Sequence, residues 1–309
     1  MKLGFLQGGM PAWTNEEIAR RAKDLACDGV GLGRRNLEFG ADSTDEQIAA
    51  FKGIFSDAGV EIHNFGADTR PLWPHIDSDQ INWDEAEITL VAAAKLAARV
   101  GSPSMQVTVQ QPDPEGNKSQ KWDWDDYLEN LGRVSVTAAK EAPGLRLVFQ
   151  NHINSANAEQ LCAMAEKRGV DKLGVAFSPD HCIVMQENPV EIAERHAAAI
   201  QHVTMADRKV VQEDLGKFDG RYYYVRYECS IVGEGVVPIG RLLETLEGQG
   251  FDGYVSLKWE WLTADPKRTI HPEGYNWQHL PPGDVVLGPY CDLMRSYGVG
   301  QREPVADRA

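Results

Sequence analysis

The chain has 309 residues, 42% of them hydrophobic and 25% charged, with a net charge of −15. That is the size of one α/β barrel, with the composition of a soluble globular protein. An acidic chain without a basic run argues against nucleic acid and anionic membrane surfaces as partners. The five cysteines, Cys27, Cys162, Cys182, Cys229 and Cys291, are odd in number, scattered and never spaced Cys-x-x-Cys. This pattern points to reduced thiols in a cytoplasmic protein, not to a disulfide framework or a zinc site. The opening apolar run is too short for a signal peptide, and no later stretch is long enough to span a bilayer.

In chain order, short apolar runs of strand length alternate with longer amphipathic runs of helical spacing. Strands are predicted at 2–7, 29–33, 61–66, 104–109, 145–151, 173–178, 200–205 and 254–259. Helices are predicted near 15–27, 43–58, 84–100, 124–141, 156–168, 189–197, 237–248 and 287–297. Thr14 and Glu17 form a capping box at the first helix; Ser43-Thr44-Asp45-Glu46 opens the second and Asn154-Ser155-Ala156-Asn157 leads into the fifth. Eight strand–helix repeats read as one closed (β/α)8 barrel, a single domain over residues 1–309. No Gly-x-Gly-x-x-Gly follows the first strand and no Gly-x-Ser-x-Gly elbow is present, so a dinucleotide fold and a serine hydrolase have no support.

Four long loops, 67–83, 110–123, 208–236 and 261–286, follow predicted strands, at the barrel face where such folds build their sites. They carry Trp73, His75, Trp122, Tyr222, Tyr223, Tyr224, His271, Tyr275, Trp277 and His279. Aromatics such as Trp73 and Trp277 suit the apolar face of a sugar ring. They equally suit packing of the loops onto the barrel or onto a second subunit.

Several segments resemble the xylose isomerase-like sugar phosphate isomerase/epimerase barrels. These are Met1-Lys2-Leu3-Gly4-Phe5 with Asp28-Gly29-Val30, Leu147-Val148-Phe149-Gln150-Asn151-His152, and Gly174-Val175-Ala176-Phe177-Ser178-Pro179-Asp180-His181. His202-Val203-Thr204-Met205-Ala206-Asp207, Gly233-Glu234-Gly235 and Phe251-Asp252-Gly253-Tyr254-Val255-Ser256-Leu257 continue the series in the same order. The resemblance implies a small carbohydrate substrate, a homo-oligomer, and a divalent metal such as manganese. That metal would be held by Glu, Asp, His and Glu on strands five to eight. The matching positions here read Gln150, Ser178, Thr204 and Lys258, so no carboxylate or imidazole remains and an ammonium replaces one ligand. No metal is expected at the usual family position.

Three readings stand side by side. In the first, a metal-free isomerase, epimerase or lyase acts on a sugar or keto-sugar. Lys258 stabilises the developing oxyanion and His152 and His181 serve as acid and base, with Glu260 beside them. Gln150, Asp180, Asp207, Arg208, Trp73 and Trp277 then line the substrate. In the second, a displaced manganese or zinc sits one layer outward on His152, Asp180 and Glu260, with His181 or Asp207 nearby, because residues two further along a strand share its parity. In the third, the barrel is a non-catalytic carbohydrate-binding or partner subunit. Cys182 beside His181 suggests a thiol mechanism, but neighbours on a strand face opposite ways, and Cys182 reads as buried and inert.

Overall fold

The computed structural model describes residues 1–7, 13–33, 42–66, 72, 81–109, 124–153, 156–214, 223–258 and 283–301. Its strands are β1 (Lys2–Leu6), β2 (Gly29–Leu32), β3 (Glu61–Gly66), β4 (Ser104–Thr108), β5 (Arg146–Gln150), β6 (Leu173–Phe177), β7 (Ile200–Met205), β8 (Asp207–Asp214), β9 (Tyr223–Ser230) and β10 (Tyr254–Leu257). Its helices are α1 (Asn15–Asp24), α2 (Asp45–Ala58), α3 (Trp83–Val100), α4 (Trp124–Glu141), α5 (Ala158–Arg168), α6 (Pro179–Val184), α7 (Pro189–His196), α8 (Ile239–Gly248) and α9 (Gly283–Ser296). Eight of the strands close a parallel barrel in the order β1-β10-β7-β6-β5-β4-β3-β2, and β8 and β9 form a separate antiparallel pair. The barrel closes where Lys2 to Phe5 of β1 pair with Tyr254 to Leu257 of β10. No described helix is long and apolar enough to cross a membrane.

Local signals explain the element ends. Thr14 with Glu17, Thr44 with Gln47 and Asn157 with Gln160 form complete capping boxes that start α1, α2 and α5. Gly59 and Gly101 end α2 and α3 at φ 72° and 86°, a left-handed turn open to glycine at little cost. Between the strands and the helices lies the apolar core: Leu3 and Phe5, Val30 and Leu32, Leu147 and Phe149, Val175 and Phe177, Val203 and Met205, Val255 and Leu257 are all buried. The alternate residues of the same strands face the barrel axis, where small residues such as Gly4, Gly31 and Ala176 stand beside the polar Gln150, His202, Thr204 and Ser256. A bulge adds to the polar set. Val30 pairs with Ile62 but Gly31 pairs with Asn64, so His63 is one residue extra in β3. His63 bonds to Ser256 of β10, and Asn64 bonds to Gln106 of β4.

Two segments differ from the sequence reading. The span 208–236 is not a plain loop: β8 and β9 pair from Asp207–Ser230 to Asp214–Tyr223. Its run of aromatic and β-branched residues, Tyr223-Tyr224-Val225-Arg226-Tyr227, has strand-forming composition. The sixth strand stops at Phe177, and Ser178 is the N-cap of α6 with Pro179 in the first turn. Proline has no N–H to give a ladder and fits a first helical turn. Asp180, His181 and Cys182 therefore follow helical spacing, and strand parity does not govern where they point.

Candidate active site at the barrel mouth

The ends of β5, β6, β7 and β10 bring Gln150, Ser178, Thr204 and Lys258 to one end of the barrel. The first three join a layer of neutral hydrogen bonds. Asn64 Nδ2 donates to Gln106 Oε1 at 2.8 Å, and Gln106 Nε2 donates to Gln150 Oε1 at 2.8 Å. Gln150 Nε2 donates in turn to Ser178 Oγ at 3.0 Å. Ser178 Oγ bonds to Thr204 Oγ1, which also lies 3.4 Å from the Phe177 carbonyl. Ser178 and Thr204 are wholly buried and Gln150 nearly so. This donor set does not fit a divalent metal. It has no anionic or imidazole ligand, its amide and hydroxyl oxygens already accept hydrogen bonds, and the fourth position is a lysine.

A second tier holds the charges. Lys258 Nζ lies 3.0 Å from His181 Nε2. His181 Nδ1 lies 2.8 Å from the Asn151 carbonyl, which can only accept, so Nδ1 carries a proton. An ammonium can only donate, so towards Lys258 the unprotonated Nε2 serves as the acceptor. Asp180 Oδ2 is 3.5 Å from the same Nε2. On its other side Asp180 takes the Arg208 guanidinium, at 3.1 Å from Nε and 3.0 Å from Nη2. Arg208 Nη1 reaches Cys229 Sγ at 2.7 Å. Asp180 and Arg208 are buried and offset each other's charge, which makes the pair tolerable away from water. The His152 ring meets the His181 ring edge to face, with centroids 4.5 Å apart. Its Nδ1 donates to the Ile153 carbonyl at 2.9 Å. Lys258 and His152 are half-buried and His181 is wholly buried, so the first two form the rim of the site.

Asp207 stands apart from this group. Its Oδ1 accepts from the N–H groups of Arg208 (2.8 Å) and Val237 (3.0 Å), and its Oδ2 from those of Gly233 (3.0 Å) and Gly235 (2.9 Å). The carboxylate thus ties the start of the β8–β9 ribbon to the approach to α8, and Glu234 of the Gly-Glu-Gly motif is exposed. Glu260, Trp73 and Trp277 lie outside the described residues. Among the described residues, no cluster of three or more His, Cys, Asp or Glu is placed to hold a metal.

Asn151 was not singled out from the sequence, although it stands between two residues that were. Its Nδ2 donates to the Ser178 carbonyl at 3.0 Å and its Oδ1 accepts from the Ser178 N–H at 2.7 Å. It thereby joins the end of β5 to the start of α6, while its own carbonyl orients His181. Gln106 and Asn64 also went unremarked, because polar residues on strands three and four reveal their role only when the barrel closes. Cys182 is buried as expected, but on a helix, where it accepts from Asn151 Nδ2 at 3.4 Å; burial pushes its thiol well above the ordinary range.

Curated relatives and solved structures resemble this chain at low identity. The chain is 19% identical over 137 residues to the inosose dehydratase of Geobacillus thermodenitrificans, covering 43% of this chain and 45% of that protein. It is 22% identical over 146 residues to the inosose dehydratase of Lacticaseibacillus casei, covering 45% and 47%. The matched span is about half the length of these curated relatives. Its fold is similar to that of a xylose isomerase domain protein from Alicyclobacillus acidocaldarius, at TM-score 0.65 and 16% identity, over 96% of this chain and 98% of that one. It is also similar to D-psicose 3-epimerase with D-tagatose from Clostridium cellulolyticum H10, at TM-score 0.63 and 14% identity, over 84% of each chain. A family model described as xylose isomerase-like TIM barrel matches residues 19–279, and the chain belongs to that family.

Proposed function

We propose that this chain is an enzyme acting on a sugar or keto-sugar, an isomerase, epimerase or dehydratase, that works without a metal at the usual family position. Its common step is proton transfer at the carbon next to a carbonyl. Epimerisation at that carbon and loss of water from a hydroxy ketone both begin by removing that proton, which leaves an enolate or enediolate oxygen. The names of the matched relatives, a dehydratase and an epimerase, agree with this chemistry.

The observation that carries the reading is the Lys258–His181 contact at 3.0 Å, at the barrel mouth above the neutral layer. The ammonium provides positive charge where the carbonyl oxygen becomes negative. His181, fixed by the Asn151 carbonyl, holds Lys258 in place and can take up or return a proton. His152, half-buried at the rim, is the assigned base towards the substrate carbon, and Glu260 is assigned as the second acid. Asp180 and Arg208 support His181 from below. Gln150 presents an amide to a substrate hydroxyl, and Trp73 and Trp277 are the assigned stacking surfaces. A displaced metal is the weaker alternative, because Asp180 is engaged by Arg208 and Asp207 by four backbone N–H groups.

Isotope exchange tests the shared step whatever the final product. Full-length protein is incubated in D2O with a panel of ketoses and keto-inositols, and exchange at the carbon next to the carbonyl is followed by NMR. Exchange or turnover is expected, unchanged by EDTA. Replacing Lys258 with Met should lower it about a hundredfold or more while the fold survives. Loss of activity on chelation, restored by manganese or zinc, would establish the displaced-metal reading instead. No exchange across the panel would leave the binding-subunit reading ahead.

A further inference from the structure

We propose that Cys27 and Cys291 are an oxidisable pair that forms an intramolecular disulfide, joining the first β–α unit to the last helix. Cys27 sits between α1 and β2, and its N–H bonds to the Ala22 carbonyl at 2.8 Å. Cys291 lies within α9. The two residues are 264 positions apart in sequence, yet their sulfurs are 3.8 Å apart in the buried core. The pair lies near the seam where the barrel closes through the pairing of β1 with β10. A disulfide requires sulfurs about 2 Å apart, so the two must close from 3.8 Å.

A cation lies beside the pair. Arg295, one turn beyond Cys291 on α9, bonds to the Leu25 carbonyl and to Asp292. The Cys27–Cys291 contact and the Arg295 cation draw the Cys291 thiol down, while the same contact and burial push Cys27 up. Cys291, the sulfur nearer the Arg295 cation, is taken as the first to react, and the steps balance equally with the two sulfurs exchanged. With hydrogen peroxide as oxidant, the Cys291 thiolate attacks one peroxide oxygen, the O–O bond breaks, and a sulfenic acid and hydroxide form; the hydroxide takes a proton and becomes water. Cys27 then gives up its proton and attacks that sulfur, and the hydroxyl leaves as a second water. Two thiols and one peroxide become one disulfide and two waters, with two electrons passing to the peroxide. A small disulfide does the same by exchange and releases two thiols. The pair is a dithiol in a reducing compartment and a staple under oxidative stress. Cys182 and Cys229 are engaged elsewhere, with Asn151 and Arg208.

The experiment treats the folded full chain with hydrogen peroxide or diamide, alkylates the remaining thiols and digests without reduction. The expected result is one cross-linked peptide containing Cys27 and Cys291. The oxidised chain should run with faster mobility on a non-reducing denaturing gel, because a very long loop is closed, and dithiothreitol should reverse it. The oxidised protein should unfold at higher denaturant than the reduced one. Cys27→Ser and Cys291→Ser should each lose the cross-link, the fast band and the gain in stability while folding normally when reduced. Both thiols remaining alkylatable after overnight diamide, or either of them cross-linking to another cysteine instead, would overturn the proposal. So would a cross-link that appears only in denaturant.

Discussion

Gln150 and Lys258 occupy equivalent places at the ends of barrel strands, yet they differ physically. Gln150 is the central link of a buried chain, bonding Gln106 on one side and Ser178 on the other. A leucine there keeps the volume but leaves the Gln106 amide and the Ser178 hydroxyl each short of a partner. Gln150→Leu should therefore cost about 1–3 kcal/mol of stability, read as a lower urea midpoint at unchanged slope. Lys258 is half-buried, so Lys258→Met should leave the midpoint close to that of the unaltered chain while removing activity. If the two variants instead lose stability alike, Lys258 is a structural residue and its assigned role fails. The identities of these residues were legible in the sequence, because the resemblance marks their positions. Their partners were not. Gln106 and Asn64 come from strands whose sequences say only that a polar side chain faces inward, and the bulge that brings both His63 and Asn64 inside has no local signature.

Elements were easier to read than contacts. All eight barrel strands were visible as short apolar runs, since each backs onto helices and needs alternate residues buried. All the described helices except α6 were visible from capping residues and apolar spacing. Where the reading failed, the signal was present but outweighed. Ser178-Pro179 reads as the end of a strand, whereas the proline in fact opens α6. The β8–β9 ribbon was hidden inside a span read by its length alone. The ribbon's exit gives a test at this scale. A Cβ on Gly235 would stand 2.2 Å from Asp207 Oδ1 and 2.3 Å from the Arg208 carbonyl, and the latter is backbone that cannot swing aside. Gly235→Ala should destabilise the protein by about 1–3 kcal/mol. It should also raise amide exchange at Gly233 and Val237, whose N–H groups bond to Asp207. Gly248, the last residue of α8, has nothing within 4 Å of its missing Cβ. Gly248→Ala should be neutral or slightly stabilising, as expected for alanine on a helix. Equal effects of the two would mean that Asp207 does not hold this turn rigidly.

At the scale of the whole molecule, the barrel axis holds two histidines that the mouth does not use. His63 and His202 are buried, with rings edge to face and centroids 4.9 Å apart. His63 bonds to Ser256 Oγ at 2.9 Å and stacks on Tyr254, whereas both ring nitrogens of His202 are buried with no hydrogen-bond partner among the described residues. Burial drives both below the ordinary histidine range, His202 to about 3, and His63 is lowered further by His202. Both are neutral in the native protein and would protonate normally once unfolded. Between pH 6.5 and 3 the unfolded chain therefore binds protons that the native chain refuses. Stability is then at its fullest above pH 6.5 and is lost as the pH falls through that window, by up to about 1.4 kcal/mol per pH unit for each histidine. Charge repulsion works the other way, because acid reduces the net charge of −15 and relieves its strain on the compact state. A mutant separates the two effects. His202→Leu removes one titrating ring and leaves the net charge at pH 7 unchanged. Its urea midpoint at pH 7 should equal or exceed that of the unaltered chain, since two unpaired polar nitrogens leave the core. Between about pH 6 and 4 its midpoint should fall less steeply, by the equivalent of one proton. The same acid slope in both proteins would show that His202 does not sit neutral in a dry barrel axis, and that the loss of stability belongs to the carboxylates.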